Sequence, residues 1–401
     1  MMKIGLLKEE KIPEDKRAAL TPSQCADLVE RYPFIEFVVK SNNYRCFSDD
    51  MYISEGIRVV KDLNDCDVLL GIKEVPVTSL IPNKTYLFFS HTIKKQEYNR
   101  SLLLKMIELN ISMIDYEALK DKKGKRLLGF GRYAGIVGAY NGLLSYGLKS
   151  GNYKLKPAHE CDNRAELVKE LDKIKLTNEK IVVTGKGRAG KGVIELLKAA
   201  NIKEVSKSEF LNQPFNEAIF LGLNIMDYNE RIDRSPSDRN EFYNNPKLYK
   251  SIFMDFAKQT DIFIAAHYYS FDSPFLFTRE DARHSEFNIK VIADISCDIN
   301  GPVASTIRSS TVANPIYGYN PQSEQEDDYM KNDVIAVMAV DNLPCELPKD
   351  ASEYFGNELL EKIIPLLIKG DKDKIIENAT ICKKGDLTPK FEYLRGFVNE
   401  I

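Results

Sequence analysis

Apolar residues fall along this chain in short unbroken runs, and amphipathic or polar stretches separate them. The runs are MKIGLL (2–7), FIEFVV (34–39), DVLLGI (67–72), TYLFFS (85–90), ISMIDY (111–116), KIVVTG (180–185), DIFIAA (261–266) and KVIADIS (290–296). Runs this short and this continuous predict strands buried on both faces rather than helices. Alternation with helical patterns then predicts α/β architecture built on mostly parallel sheets. Between the first two runs, Thr21, Pro22 and Gln24 supply a cap, a proline at the first helical position and a glutamine three residues after the cap. A helix is predicted there, with Cys25, Leu28 and Val29 on its apolar face.

The stretch GFGRYAGIVGAYNGLLSYGLKS (129–150) is rich in small residues at helical spacing, as a helix needs for close packing. It is read as a long helix crossing between two domains, which places a boundary at 129/130. The charged segment 154–179 is expected to carry a helix into the strand at 180, and 351–369 reads as one amphipathic helix. The polar sequence at 233–247 and the acidic sequence at 323–329 read as surface excursions.

Composition narrows the function. A length of 401 residues suits two domains at roughly 150 residues each, and 43% hydrophobic with 29% charged residues is ordinary for a globular protein. Lys and Arg number 56 against 59 Asp and Glu, so no basic excess marks a nucleic-acid or membrane-surface binder. No stretch nears the ~18 apolar residues that span a bilayer, and the start lacks the apolar core of a secretory signal. A cytoplasmic location is expected. Seven scattered Cys, never in CxxC spacing, look like reduced thiols rather than a disulfide framework or zinc site. Cys297 reads as a small buried residue. No HExxH, EF-hand or GxSxG pattern occurs, so neither a metal nor a serine-hydrolase triad is expected.

One motif stands in a strand–turn–helix frame: Gly185-x-Gly187-x-x-Gly190, with Arg188 and Ala189 between the last two glycines. The first glycine allows the tight turn, the second lets backbone approach a pyrophosphate, and the third lets helix and strand pack closely. Dinucleotide binding is the expectation, and the Walker spacing is absent. An acid roughly 20 residues on should hold the ribose 2′-hydroxyl. The next strand reads KEVSKSEFL, where Glu209 suits a 2′-hydroxyl while Ser206, Lys207 and Ser208 suit a 2′-phosphate. A plain solvated turn is the third reading, so NAD and NADP stay open.

Ionisable residues follow three runs: Lys73 and Glu74, then His91, then Glu117. Ligands gather beyond the carboxyl ends of parallel strands, and a lysine, a histidine and carboxylates in one cleft make an acid–base set. Arg17 and Arg126 can each grip a carboxylate with a bidentate fork. His267 ends a strand of the glycine-loop domain, where one reading has it facing the cofactor, and Asp294 and Asp298 follow another. Each acid either contacts ligand or closes an Asx-type turn. His159 and His284 read as solvated.

In order and spacing, KEEKIPEDKRAALTP, GIKEVP, FFSHTIKKQ, DYEAL, GFGRYAGIVGA, GKGRAGKG, ADISCDING and VDNLPCELPKDASEYFG resemble the saccharopine dehydrogenase (lysine-forming) and lysine–ketoglutarate reductase family, related to alanine dehydrogenase and the transhydrogenase subunit. The excursion near 240–257 and the last motif look closer to the reductase domain of bifunctional lysine-degrading enzymes. The resemblance implies two Rossmann-like domains with an interdomain cleft. The N-terminal one (1–129) is completed by about 315–401, and a dinucleotide-binding domain (130–314) is inserted. It also implies that Lys73 and His91 are the acid–base pair. Glu74 and Glu117 would tune them or hold an amino group, and Lys11, Arg17 and Arg126 would bind carboxylates. Asp298 and Asp294 would sit beside the nicotinamide. Arg132 and His267 depart from the family pattern, at positions that can reshape the pocket.

The activity so implied is NAD- or NADP-dependent, reversible oxidative deamination of saccharopine to L-lysine and 2-oxoglutarate, with these small molecules as partners and neither nucleic acid nor membrane expected; the oligomeric state stays open. An alanine-dehydrogenase-like or opine-type enzyme and a silent dinucleotide binder are the alternatives.

Overall fold

Each of the eight apolar runs contributes a strand to one of two eight-stranded sheets. The computed structural model describes residues 2–12, 14–270 and 272–399. The chain divides into two units: residues up to Phe130 together with those from Pro348 onward, and Gly131–Leu347.

In the first unit, β1 (Met2–Leu6), β2 (Ile35–Lys40), β3 (Arg58–Val60), β4 (Val68–Leu70), β5 (Thr85–Phe88) and β6 (Ser112–Asp115) are all parallel. Their spatial order is β6-β5-β4-β1-β2-β3, so the chain winds outward through β2 and β3, then reverses to β4 on the other side of β1. The chain's last strands, β17 (Thr380–Lys383) and β18 (Asp386–Leu387), extend the sheet beyond β6 in antiparallel sense. The helix Pro22–Arg31 forms as expected. The Thr21 hydroxyl accepts from Gln24 N–H, and the Gln24 side chain accepts from Thr21 N–H.

The second unit holds β7 (Lys180–Thr184), β8 (Lys203–Glu204), β9 (Ile219–Leu223), the small hairpin β10 (Asn229–Arg231) and β11 (Tyr249–Ser251), and then β12 (Ile262–Ala265), β13 (Val291–Asp294), β14 (Ile316–Asn320), β15 (Gln325–Asp327) and β16 (Ile335–Met338). The main order is β15-β14-β16-β13-β12-β7-β9-β8. The small residues at 129–150 are explained here. The helix Gly131–Ser150 lies in this unit against the helix Arg188–Ala199, and a Cβ on Gly135 would meet Ala189 O at 1.9 Å.

Two expectations need correction. The return to the first unit falls after Leu347, not near 315, because β14 and β16 pair with each other and β16 with β13. The helix expected over 351–369 is two, Pro348–Lys362 and Ile364–Lys369, since Pro365 cannot continue the first one's hydrogen bonding. Among the described residues, no helix is long and apolar enough to cross a membrane.

Candidate active site

The carboxyl ends of β1, β4, β5 and β6 stand side by side, and each feeds ionisable residues into one edge of the first sheet. After β4 come Lys73 and Glu74, after β5 His91, after β6 Glu117, and after β1 Glu9, Lys11, Asp15 and Arg17. β1 and β4 flank the point where the winding reverses, the usual ligand crevice of such sheets.

Glu74 is the hub. Its Oε1 lies 2.5 Å from His91 Nδ1 and its Oε2 accepts from Lys11 Nζ at 3.0 Å. Burial pushes the Glu74 carboxyl up, but the His91 hydrogen bond and charge, with help from Lys11, win and hold it at about 2. An ionised Glu74 makes Nδ1 the protonated nitrogen of His91, which leaves Nε2 to exchange a proton. His91 sits at φ 54° and stacks on Phe89 at 6.4 Å between centroids.

Burial, then the positive charges of Arg17 and Lys11, pull the Lys73 ammonium below its ordinary range. Among the described residues its Nζ makes no ion pair. Glu117 Oε1 accepts from Arg126 Nη2 at 2.8 Å, whereas its Oε2 is buried without a hydrogen-bond partner. Such an orphan oxygen suits an incoming ammonium.

Arg17 is placed differently from the expectation of an open carboxylate grip. It is 2% exposed, its Nε and Nη2 bond both oxygens of Asp15 at 2.9 and 2.5 Å, and it lies over the Phe130 ring. Lys11 and Arg126 likewise hold carboxylates of the chain itself, Glu74 and Glu117. Sequence reasoning missed Glu9 and Asp15. Glu9 is buried, and its two oxygens accept from Ile72 N–H at 2.7 Å and Lys73 N–H at 2.8 Å, tying the end of β1 to that of β4. Burial and the charge of Asp15 push its carboxyl up to about 7. For Asp15, burial raises the carboxyl but the charge and hydrogen bonds of Arg17 overcome it, leaving it well below the usual carboxylate range. Both residues lie in the quoted KEEKIPEDKR motif; for Asp15 the signal was an acid two residues before an arginine, and for Glu9 no local signal stands out.

In the second unit the glycine loop has the form a dinucleotide needs. Gly185 sits at φ 92°, and a Cβ there would meet Ala266 O at 2.5 Å. A Cβ on Gly190 would meet Gly185 O at 1.9 Å, whereas one on Gly187 would meet nothing within 4 Å. Two glycines are thus closed against protein and the middle one faces open space, as the approach of a pyrophosphate requires. Arg188 and Ala189 open the helix, whose first-turn N–H groups have no intrahelical acceptor.

The turn expected at the ribose is not the one the sequence suggested. The strand beside β7 is β9, not β8, which lies outermost. The turn beyond the adjacent strand is therefore Asn224–Asp227, with Gly185 N–H bonded to Leu223 O. Ser206 instead caps the helix Lys207–Asn212 in a reciprocal pair with Glu209, so that carboxylate serves its own helix. Lys207 keeps a link to the relocated turn, since its Nζ reaches Asp227 O at 3.2 Å.

Asp294 is a buried knot rather than an exposed ligand contact. Its Oδ1 accepts from the Ser296 hydroxyl and from the N–H groups of Ser296 and Cys297, and its Oδ2 from the Thr306 hydroxyl. This Asx-type turn fixes the loop that carries the partly buried Asp298, which Gly301 N–H closes through the Asp298 carbonyl. Arg132, expected to reshape a pocket, forks onto Glu195 at 2.8 Å twice and so clamps the Gly131–Ser150 helix to Arg188–Ala199.

Residues 5–137 match the family described as alanine dehydrogenase/PNT, N-terminal domain. The α-aminoadipic semialdehyde synthase of Arabidopsis thaliana is 27% identical over 98% of this chain and 41% of its own length. The mitochondrial one of Rattus norvegicus is also 27% identical, over 98% of this chain and 47% of its own length. The chain thus spans less than half of these relatives. The saccharopine dehydrogenase [NAD(+), L-lysine-forming] of Emericella nidulans is 25% identical over 95% of this chain and 94% of its own. Among solved structures, an L-alanine dehydrogenase aligns with a TM-score of 0.68 at 16% identity, covering 99% of this chain and 100% of that one.

Proposed function

We propose that this chain, which is similar to saccharopine dehydrogenases and matches the alanine dehydrogenase/PNT N-terminal domain over residues 5–137, is a nicotinamide-dependent amino-acid dehydrogenase whose substrate is saccharopine, formed reversibly from L-lysine and 2-oxoglutarate. The observation that carries the reading is Glu117. One of its oxygens holds the Arg126 guanidinium and the other is buried and unpartnered, so an ammonium and a carboxylate of an amino acid find complementary groups within one side chain's reach.

A dinucleotide held by Gly185, Gly187, Gly190 and the helix N-terminus behind them would supply the hydride acceptor. The chain's own residues handle protons and charge. Lys73, with its ammonium destabilised by burial and by two cations, takes the proton of the substrate's secondary amine. His91, oriented through Nδ1 by Glu74, offers Nε2 to the water that attacks the imine. Lys11 and Arg126 exchange their intramolecular carboxylates for those of the substrate, and Asp298 stands on a loop that Asp294 holds rigid. The relative named above as a saccharopine dehydrogenase [NAD(+), L-lysine-forming] supports the substrate, and its name supports NAD as the cofactor.

A second reading, an alanine-type substrate, has one observation in its favour: Arg17 is committed to Asp15, which leaves fewer cations for a tricarboxylate. Nicotinamide absorbance separates the two. Lysine-dependent oxidation of NADH or NADPH in the presence of 2-oxoglutarate supports the proposal. Turnover with pyruvate and ammonia but not with lysine overturns it.

A further inference from the structure

The second sheet also has a point where its winding reverses, between β7 and β12: the chain leaves β7 for β8 and β9 on one side and returns to β12 and β13 on the other. His267 stands just beyond β12 at that point. It is 8% exposed, and its backbone lines the glycine turn, since a Cβ on Gly185 would meet His267 Cα at 2.7 Å. Its Nδ1 lies 2.8 Å from the hydroxyl of Thr184, the last residue of β7. Its Nε2 is buried and has no hydrogen-bond partner.

The tautomer follows from the neighbour. Burial holds the imidazole neutral, at about 4, so one ring nitrogen carries hydrogen at physiological pH. Thr184 is fully buried, and among the described residues its hydroxyl has no acceptor other than His267 Nδ1. If Nδ1 carried the hydrogen, the hydroxyl proton would be stranded. The hydroxyl therefore donates to Nδ1, and Nε2–H is a buried donor with no acceptor, beside a loop built for phosphate.

Building on the dinucleotide reading above, we propose that His267 is a cofactor-binding residue whose Nε2–H donates to a pyrophosphate oxygen of the bound dinucleotide. A phosphate oxygen is an acceptor only, which matches the tautomer, and the residue's own backbone forms one wall of the phosphate turn.

The test measures affinity for NADH, ADP-ribose and adenosine, by NADH fluorescence and its displacement, in the full chain and in H267A and H267Q. Glutamine carries an amide N–H where the imidazole has Nε2–H. The expected result is about tenfold weaker NADH and ADP-ribose binding in H267A, adenosine unchanged, and H267Q within about threefold of the parent. A ¹⁵N spectrum of the parent chain should show Nε2 protonated at pH 7 and its signal displaced by ADP-ribose. This readout holds even if H267A folds poorly. Equal affinity in H267A and parent, or an imidazole signal unmoved at saturating ADP-ribose, overturns the assignment, as does an adenosine loss matching that of ADP-ribose. A parent chain that binds no dinucleotide at all overturns the proposed function and this inference with it.

Discussion

Glu9→Gln probes the buried acid that ties β1 to β4. Glu9 is 5% exposed and takes two backbone N–H donors, yet burial and Asp15 lift its carboxyl from 4.5 to about 7. The folded chain thus keeps this proton where the unfolded chain has lost it. The stability so contributed is full below about pH 4.5 and disappears as pH rises through 7. The rise from 4.5 to about 7, at 1.36 kcal/mol for each tenfold gain in proton affinity, amounts to about 3 kcal/mol. Glutamine has no proton to lose, but its NH₂ faces one of the two N–H groups, a constant cost of about 1–3 kcal/mol. The variant should therefore be the less stable protein at pH 5 and should match or exceed the parent by pH 8. Urea unfolding followed by circular dichroism at intervals from pH 5 to 8 measures this. The transition that shifts between the two proteins is the one to analyse, since a chain of two units need not unfold in one step. A stability difference that stays constant from pH 5 to 8 refutes the reasoning.

The glycine loop gives a paired test. Gly187→Val, at a position where an added Cβ meets nothing within 4 Å, should leave the melting temperature unchanged and weaken NADH binding at least about 100-fold, whereas Gly190→Ala should destabilise the fold by about 3 kcal/mol or more. Reversal of that order in melting and fluorescence would sink the assignment. Lys73→Met and His91→Asn should each lower turnover by roughly 10²–10⁴ with unchanged circular dichroism, and activity within tenfold of the parent removes them from the acid–base role. Asp15→Ala breaks a buried ion pair and should cost about 3–5 kcal/mol in a urea melt. A loss under about 1 kcal/mol would show Arg17 well satisfied without it.

How much of this was legible in the sequence depends on how local each signal was. The Thr21 capping box, the glycine loop and the strand-end placement of Lys73, His91 and Glu117 are written in a few consecutive residues, and they read directly. The ribose position did not, because it depends on which strand lies beside β7. The run IFLGL, which forms β9, was apolar enough to find, but once KEVSKSEFL is taken as the neighbouring strand nothing local reveals that β8 is pushed to the edge. Missing β14 and β16 displaced the second domain boundary in the same way. The pairing of Arg17 with Asp15, of Arg132 with Glu195, and of Asp294 with its own loop are facts of tertiary distance. No spacing rule separates an arginine waiting for a substrate from one already held.

The two units solve one structural problem alike. Where the winding of a parallel sheet reverses, the loops on either side lead away in opposite directions and leave neighbouring strand ends without a connection. In the first unit Glu9 bridges that gap to the N–H groups of Ile72 and Lys73, and in the second His267 bridges to Thr184. Both bridges are buried titratable groups held neutral, but their signs oppose. Burial raises Glu9 to about 7, so its contribution falls as pH rises from 4.5. Burial lowers His267 from 6.5 to about 4, so its contribution is complete above pH 6.5 and falls as pH drops towards 4. Each amounts to about 3 kcal/mol at 1.36 kcal/mol per unit, and between roughly pH 4.5 and 6.5 they cancel in any whole-chain measurement. Hydrogen exchange resolves them: on going from pH 6.5 to 5, and after correction for the intrinsic rate, amides of β4 should gain protection while those of β12 lose it. Parallel changes in both strands would mean that the two bridges do not titrate as their burial requires.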